Sequence, residues 1–119
     1  MTGALRVTGD HRILAEYLRW HCRGRAAASP KRAIRADLVL EAGIRLSSRG
    51  FDFLAEECAL LGIPVGSSSN GFFWMVDEED FDLARSYLVC RFAPMKERIE
   101  AIERMKRNAF SARLFEVPA

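Results

Sequence analysis

No lysine or arginine occurs between Arg49 and Arg85, while the same stretch carries eight aspartates and glutamates. Nucleic-acid binding draws most of its affinity from cations set against phosphates, so this stretch cannot supply that affinity by itself. Cysteine is scarce as well: Cys22, Cys58 and Cys90 are odd in number, widely spaced and never in a C-x-x-C pair. That excludes a disulfide framework and a zinc knuckle, and predicts buried free thiols in a reducing cytoplasm. Apolar runs are short, none approaching the roughly 20 residues a membrane span needs, and Met1 to Gly9 offers no apolar leader core. The expectation is a soluble cytoplasmic protein with no membrane partner.

Catalytic groups are equally sparse. His11 and His21 have no acid, cysteine or second histidine at triad or metal-ligand spacing, so they are expected at the surface or the edge of the core. The glycines from Gly62 to Gly71 lack the lysine of a phosphate-binding loop. Glu56 and Glu57 are neighbours that point apart on a helix, which builds no acid–base pair. The chain is therefore expected to be no enzyme and to need neither a metal nor a cofactor.

What is present is an apolar half and a segregated charge. With 119 residues and 50% apolar composition, the chain suits one compact domain plus one projecting element. The formal net charge of +2 hides three blocks: +6 over residues 1–50, −8 over 51–84 and +4 over 85–119. Fifteen of the eighteen cations are arginines, which grip phosphate or carboxylate with two prongs.

Periodicity gives the elements. Thr8 or Asp10 caps a first helix with Ile13, Leu14, Tyr17, Leu18 and Cys22 at helical spacing. Arg23 to Ala28 reads as a loose connector. Ser29-Pro30 opens a short second helix that places Leu38 and Ala42 on one face and stops at Gly43. Ser47 or Ser48 caps a third helix with Phe51, Leu54, Ala55, Cys58 and Leu61 as its apolar stripe, ended by Gly62. Two short helices joined by a tight glycine turn outline a helix-turn-helix. Ile63-Pro64-Val65 and Phe72 to Val76 are β-prone runs flanking a polar loop from Gly66 to Gly71, and its Asn70-Gly71 is a hairpin signal. Phe72, Phe73 and Trp74 could stack on single-stranded bases, but the nearest cations are distant in sequence, so packing into the core is expected.

Asp77-Glu78-Glu79-Asp80 reads as a capped, acidic first helical turn rather than an ion site. Beyond it Phe81, Leu88, Phe92, Met95, Ile99 and Ile102 form a heptad-like seam, interrupted by Arg85 and Lys106. One long helix, or two joined with a bend before Pro94, is expected. Leu88, Phe92, Met95, Ile99 and Ile102 are the candidate dimer interface, with Arg98 and Glu103 placed to pair across two parallel copies. The expected organisation is a domain over 8–76, a C-terminal helix over 77–108 and a tail over 109–119.

The series Ala42-Gly43-Ile44, Ser47-Ser48-Arg49, Gly62-Ile63-Pro64-Val65 and Asn70-Gly71-Phe72-Phe73 resembles the small winged-helix proteins of phages and prophages. More loosely, it is similar to the DNA-binding domain of the biotin operon repressor. The likeness covers about residues 10 to 80, and a long helix over 86–113 suits the phage-type proteins too. It implies a helix-rich α+β fold: a winged helix-turn-helix with a β-hairpin wing and a long C-terminal helix. It implies binding to double-stranded DNA in transcription control or phage replication, without catalysis.

On that resemblance, the start of the third helix enters the major groove with Ser47, Ser48, Arg49 and Asp52, and Arg49 takes a guanine edge. Lys31, Arg32, Arg35 and Arg45 lie on the phosphate backbone, while Ser67, Ser68, Ser69 and Asn70 at the wing tip donate to phosphates or the minor groove. Relatives tend to carry arginines along the third helix and wing. This chain has Asp52, Glu56 and Glu57 on the helix and no cation on the wing. The competing expectation is a non-catalytic interaction module whose acidic third helix and wing dock on a basic protein partner, with Arg49, Phe53, Glu56 and Leu60 sharing the side opposite the core stripe.

Overall fold

The computed structural model describes residues 6–115, with side chains described through residue 111. It is helix-rich α+β. The elements in order are α1 (Gly9–His21), a short 3-10 turn (Arg25–Ala27), α2 (Lys31–Ala42), α3 (Ser48–Leu60), β1 (Val65–Ser68), β2 (Gly71–Trp74) and α4 (Glu78–Phe115). The chain divides into two compact units, Met1–Tyr87 and Leu88–Ala119. Among the described residues, no helix is long and apolar enough to cross a membrane.

In the first unit each helix begins and ends for a local reason. Thr8 caps α1 in a reciprocal box with His11: the hydroxyl accepts from the His11 amide, and His11 Nδ1 accepts from the Thr8 amide at 2.9 Å. Gly43, at φ +66°, ends α2 in the left-handed conformation that a side chain resists. Ser47 caps α3, its hydroxyl accepting from the Gly50 amide at 2.9 Å. The predicted cap at Ser29 is not made. Pro30 takes that position without a side-chain bond, because the backbone of Ser29 is drawn into pairing with Phe72.

Leu14 and Leu18 of α1, Ile34 and Leu38 of α2, and Phe51 and Cys58 of α3 meet in one core, closed by Phe73 of the hairpin. Fully burying such side chains is worth about 1.5–3 kcal/mol each, so this cluster is the main source of stability. Phe73 is fully buried while Phe72 and Trp74 are half-buried, and Phe72 meets Phe51 edge-on at 4.9 Å between ring centres. Cys22 and Cys58 are buried, and burial pushes the Cys58 thiol up to about 11, with the Glu57 charge adding to the shift. Cys90 departs from the expectation: it is exposed.

The hairpin is tighter than the sequence suggests. Val65 pairs with Trp74 and Ser68 with Gly71, so Gly66 to Ser68 lie within a strand and the turn is Ser69-Asn70 alone. On its other edge β2 is paired by the segment predicted to be a loose connector. Gly24 donates to Trp74 O at 2.8 Å, Trp74 donates to Cys22 O at 2.8 Å, and Ser29 and Phe72 exchange bonds of 3.0 and 2.8 Å. Gly71 sits at φ +121°, and a Cβ there would lie 2.0 Å from the Ser29 carbonyl oxygen. Gly71→Ala is therefore expected to lower the unfolding free energy by about 3 kcal/mol or more, read from urea melts, because both the conformation and the close approach are lost.

Asp77 caps α4, accepting from the Asp80 amide at 2.8 Å, as its position before three more acids predicts. Asp80 itself is fully buried and accepts from the Val76 amide at 2.9 Å, the Arg25 amide at 3.2 Å and Arg25 Nη1 at 2.8 Å. Arg25 also reaches Asp77 and Glu79, at 2.9 and 3.1 Å. The acidic run is thus a clasp that fixes the connector against the start of α4.

The second unit is the part of α4 from Leu88 onward. The helix passes through Pro94 and continues to Phe115, past the start of the expected tail; Ala109, Ala112, Arg113 and Leu114 all favour helix. The remaining tail residues, 116–119, lie outside the described ones.

Candidate functional site

Three of the arginines singled out in the sequence come together. Arg32 and Arg35 of α2 and Arg45 of the following turn line one concave surface with Ala36, Val39 and Leu46, enclosing about 260 Å³. Helical spacing explains the first pair, since Arg32, Arg35, Ala36 and Val39 share one face of α2 at steps of three and four. The left-handed Gly43 then reverses the chain, so that Arg45 returns beside them. Arg35 is held in place by its Nε, which donates to the Leu46 carbonyl at 2.7 Å. Its two terminal nitrogens have no protein partner among the described residues, and neither do the exposed side chains of Arg32 and Arg45. No acid lines this surface. A concave patch with three guanidinium groups and no counter-charge is suited to bind anions, phosphate above all.

Arg49 lies just beyond, in the first turn of α3, exposed and without a partner among the described residues. Ser48 beside it is exposed too, and Ser47 uses its hydroxyl as the cap while keeping its own proton to donate.

Other predicted contacts are occupied or turned away. Lys31 Nζ donates to both carboxylate oxygens of Asp52 at 2.9 Å, so these two residues are spent on each other and not on an outside ligand. Ser68 is buried and its hydroxyl accepts from the Asn70 amide at 3.2 Å, because pairing with Gly71 turns it inward. It is not a wing-tip donor. Ser69 and Asn70 are exposed at the turn, and Ser67 is half-buried.

Two of the three acids of α3 have side-chain partners. Asp52 is answered by Lys31, and Glu57 accepts from His11 Nε2 at 2.9 Å. Of the two expected positions, surface or edge of the core, His11 takes the second: it is buried, with Nδ1 accepting from the Thr8 amide and the proton on Nε2 facing Glu57. Only Glu56 of the three stands exposed without a partner among the described residues. These pairings join residues 21 and 46 apart in the chain, which no local spacing signals.

The outward side of α3 presents Arg49, Phe53, Glu56 and Leu60, and Phe53 and Leu60 are 58% and 71% exposed. In the second unit the seam residues Leu88, Phe92, Met95, Ile99 and Ile102 are between 50% and 59% exposed in the single chain. No three histidine, cysteine, aspartate or glutamate side chains are grouped to hold a metal ion among the described residues.

No family model, no curated protein and no solved structure matches the chain.

Proposed function

We propose that this chain is a cytoplasmic duplex-DNA-binding protein of the winged helix-turn-helix kind, serving as a phage-type regulator of transcription or an accessory factor of replication. Its role is binding, without catalysis, metal or cofactor. The observation that carries the reading is the acid-free concave surface where Arg32, Arg35 and Arg45 meet, with Arg49 at the adjoining start of α3. The element order supports it: α2, a tight glycine turn, α3 and then a two-stranded hairpin follow one another as in a helix-turn-helix with a wing.

In this reading Arg32, Arg35 and Arg45 lie against the phosphate backbone and fix the register, and Arg49 offers two hydrogen bonds to a guanine edge. Ser47, Ser48 and Asn70 add neutral donors. The pairing of Asp52 with Lys31 removes part of the repulsion that the acidic composition of α3 would otherwise create. The same pairing weighs against the alternative, an acidic face docking on a basic protein.

Binding to labelled duplex of mixed sequence tests the reading. Anisotropy should rise with protein concentration at low salt and the affinity should fall steeply as salt is added. No rise at low salt, with a basic polypeptide bound instead, would favour the acidic adaptor.

The reading includes a homodimer formed through the α4 seam, since DNA readers of this type commonly engage two half-sites. Alternate spacings of four and three residues from Leu88 to Ile102 match what a second copy of the same helix would pack, and Arg98 and Glu103 flank it with opposite charges. Ile99→Asp is expected to convert a sedimenting dimer to monomer while far-UV circular dichroism keeps its helical minimum. An unchanged sedimentation coefficient would remove the seam from the account.

A further inference from the structure

The outward side of α3 carries more than the arginine. At the helical advance of 100° per residue, Arg49, Phe53, Glu56 and Leu60 fall within a narrow arc directly opposite Phe51, Leu54, Ala55 and Cys58, the buried stripe. Phe53 has 58% of its surface exposed and stands one helical turn from the unpartnered Arg49, outside any apolar cluster. A helix built to dock on protein presents apolar residues three and four apart in an unbroken stripe. Here Phe53 and Leu60 are two turns apart with the unpartnered Glu56 between them, so the ring is isolated between a guanidinium and a carboxylate. That alternation of donor, apolar group and acceptor is what the major-groove edges of successive base pairs present in complement: guanine acceptors, the thymine methyl, and the cytosine amino group.

Resting on the DNA-binding reading, we infer that Phe53 is a specificity residue that packs on the 5-methyl group of a thymine, a short fixed step from the guanine taken by Arg49. Four helical residues advance about 6 Å along the axis, close to two base-pair rises of about 3.4 Å. The two contacts therefore select a guanine and a thymine separated by about two base-pair steps. Asp52, on the flank of the same helix, is neutralised by Lys31 and stays out of the readout.

The test is a selection of bound duplexes from a random pool, followed by replacement of each thymine in the selected site with uracil, which lacks only the methyl group. The wild-type protein should lose about fourfold in affinity at one thymine, the worth of one buried methyl. Phe53→Ala should bind the thymine and uracil duplexes equally, and Phe53→Leu should keep part of the preference. Both variants should keep the wild-type salt dependence on mixed duplex. If salt-dependent duplex binding is present but no thymine is sensitive to uracil, or Phe53→Ala remains equally sensitive, the Phe53 assignment fails and the DNA reading stands. If no duplex is bound at all, both fail.

Discussion

Asp80→Ala should lower the unfolding free energy by about 2–4 kcal/mol, a large share of the roughly 5–15 kcal/mol available to a domain of this kind. The carboxylate is fully buried and accepts from the Val76 amide, the Arg25 amide and the Arg25 guanidinium. Truncation leaves the Val76 and Arg25 amides without an acceptor, takes one of three carboxylates from the Arg25 guanidinium and loosens the connector, which in turn supports one edge of β2 through Gly24. Asp80→Asn, which keeps the volume but loses the charge, should fall between the two. The effect should also depend on acid. Burial alone would raise the Asp80 pKa, but the bonds from Val76 and Arg25 outweigh it and the value is lowered. A carboxyl held below its unfolded value of about 4 contributes its full stability above that pH and loses it as the pH falls through the lowered folded value. Urea midpoints measured from about pH 5 downward should converge for wild type and Asp80→Asn at the acid end. Equal midpoints throughout would mean that the clasp contributes nothing.

Arg32→Ala/Arg45→Ala should have the opposite profile. Both side chains are exposed and have no protein partner among the described residues, so melting should barely change. Duplex affinity should fall about fiftyfold at ~0.1 M salt, since two phosphate contacts and the counterions they release are lost. Arg35 is less suited to this test, because its Nε also ties down the Leu46 carbonyl and its removal would disturb the turn.

Much of this architecture is legible in the chain. The Thr8 and Ser47 caps, Gly43 at the end of α2, the stripe of α3 and the Asp77 cap all follow from short-range rules, and local sequence carries short-range rules. The connector is different. Its pairing with β2 depends on Arg25 meeting Asp80, 55 residues away, and nothing near Arg25 announces that partner. The first strand runs three residues further than its composition suggests, because Gly66-Ser67-Ser68 is turn-like and composition yields there to pairing with Phe73, Phe72 and Gly71. The candidate site divides along the same line. Arg32 and Arg35 follow from helical spacing, whereas the ion pairs that occupy Lys31, Asp52 and Glu57 required tertiary structure to be seen.

The central claim is that the Arg32, Arg35 and Arg45 surface holds duplex phosphates. Its most direct test is the slope of log affinity against log salt for mixed-sequence duplex, in wild type and in Arg32→Ala/Arg45→Ala. Loss of two phosphate contacts should make the slope shallower by about two. Identical slopes in the two proteins would contradict the claim, since the binding would then run through other groups.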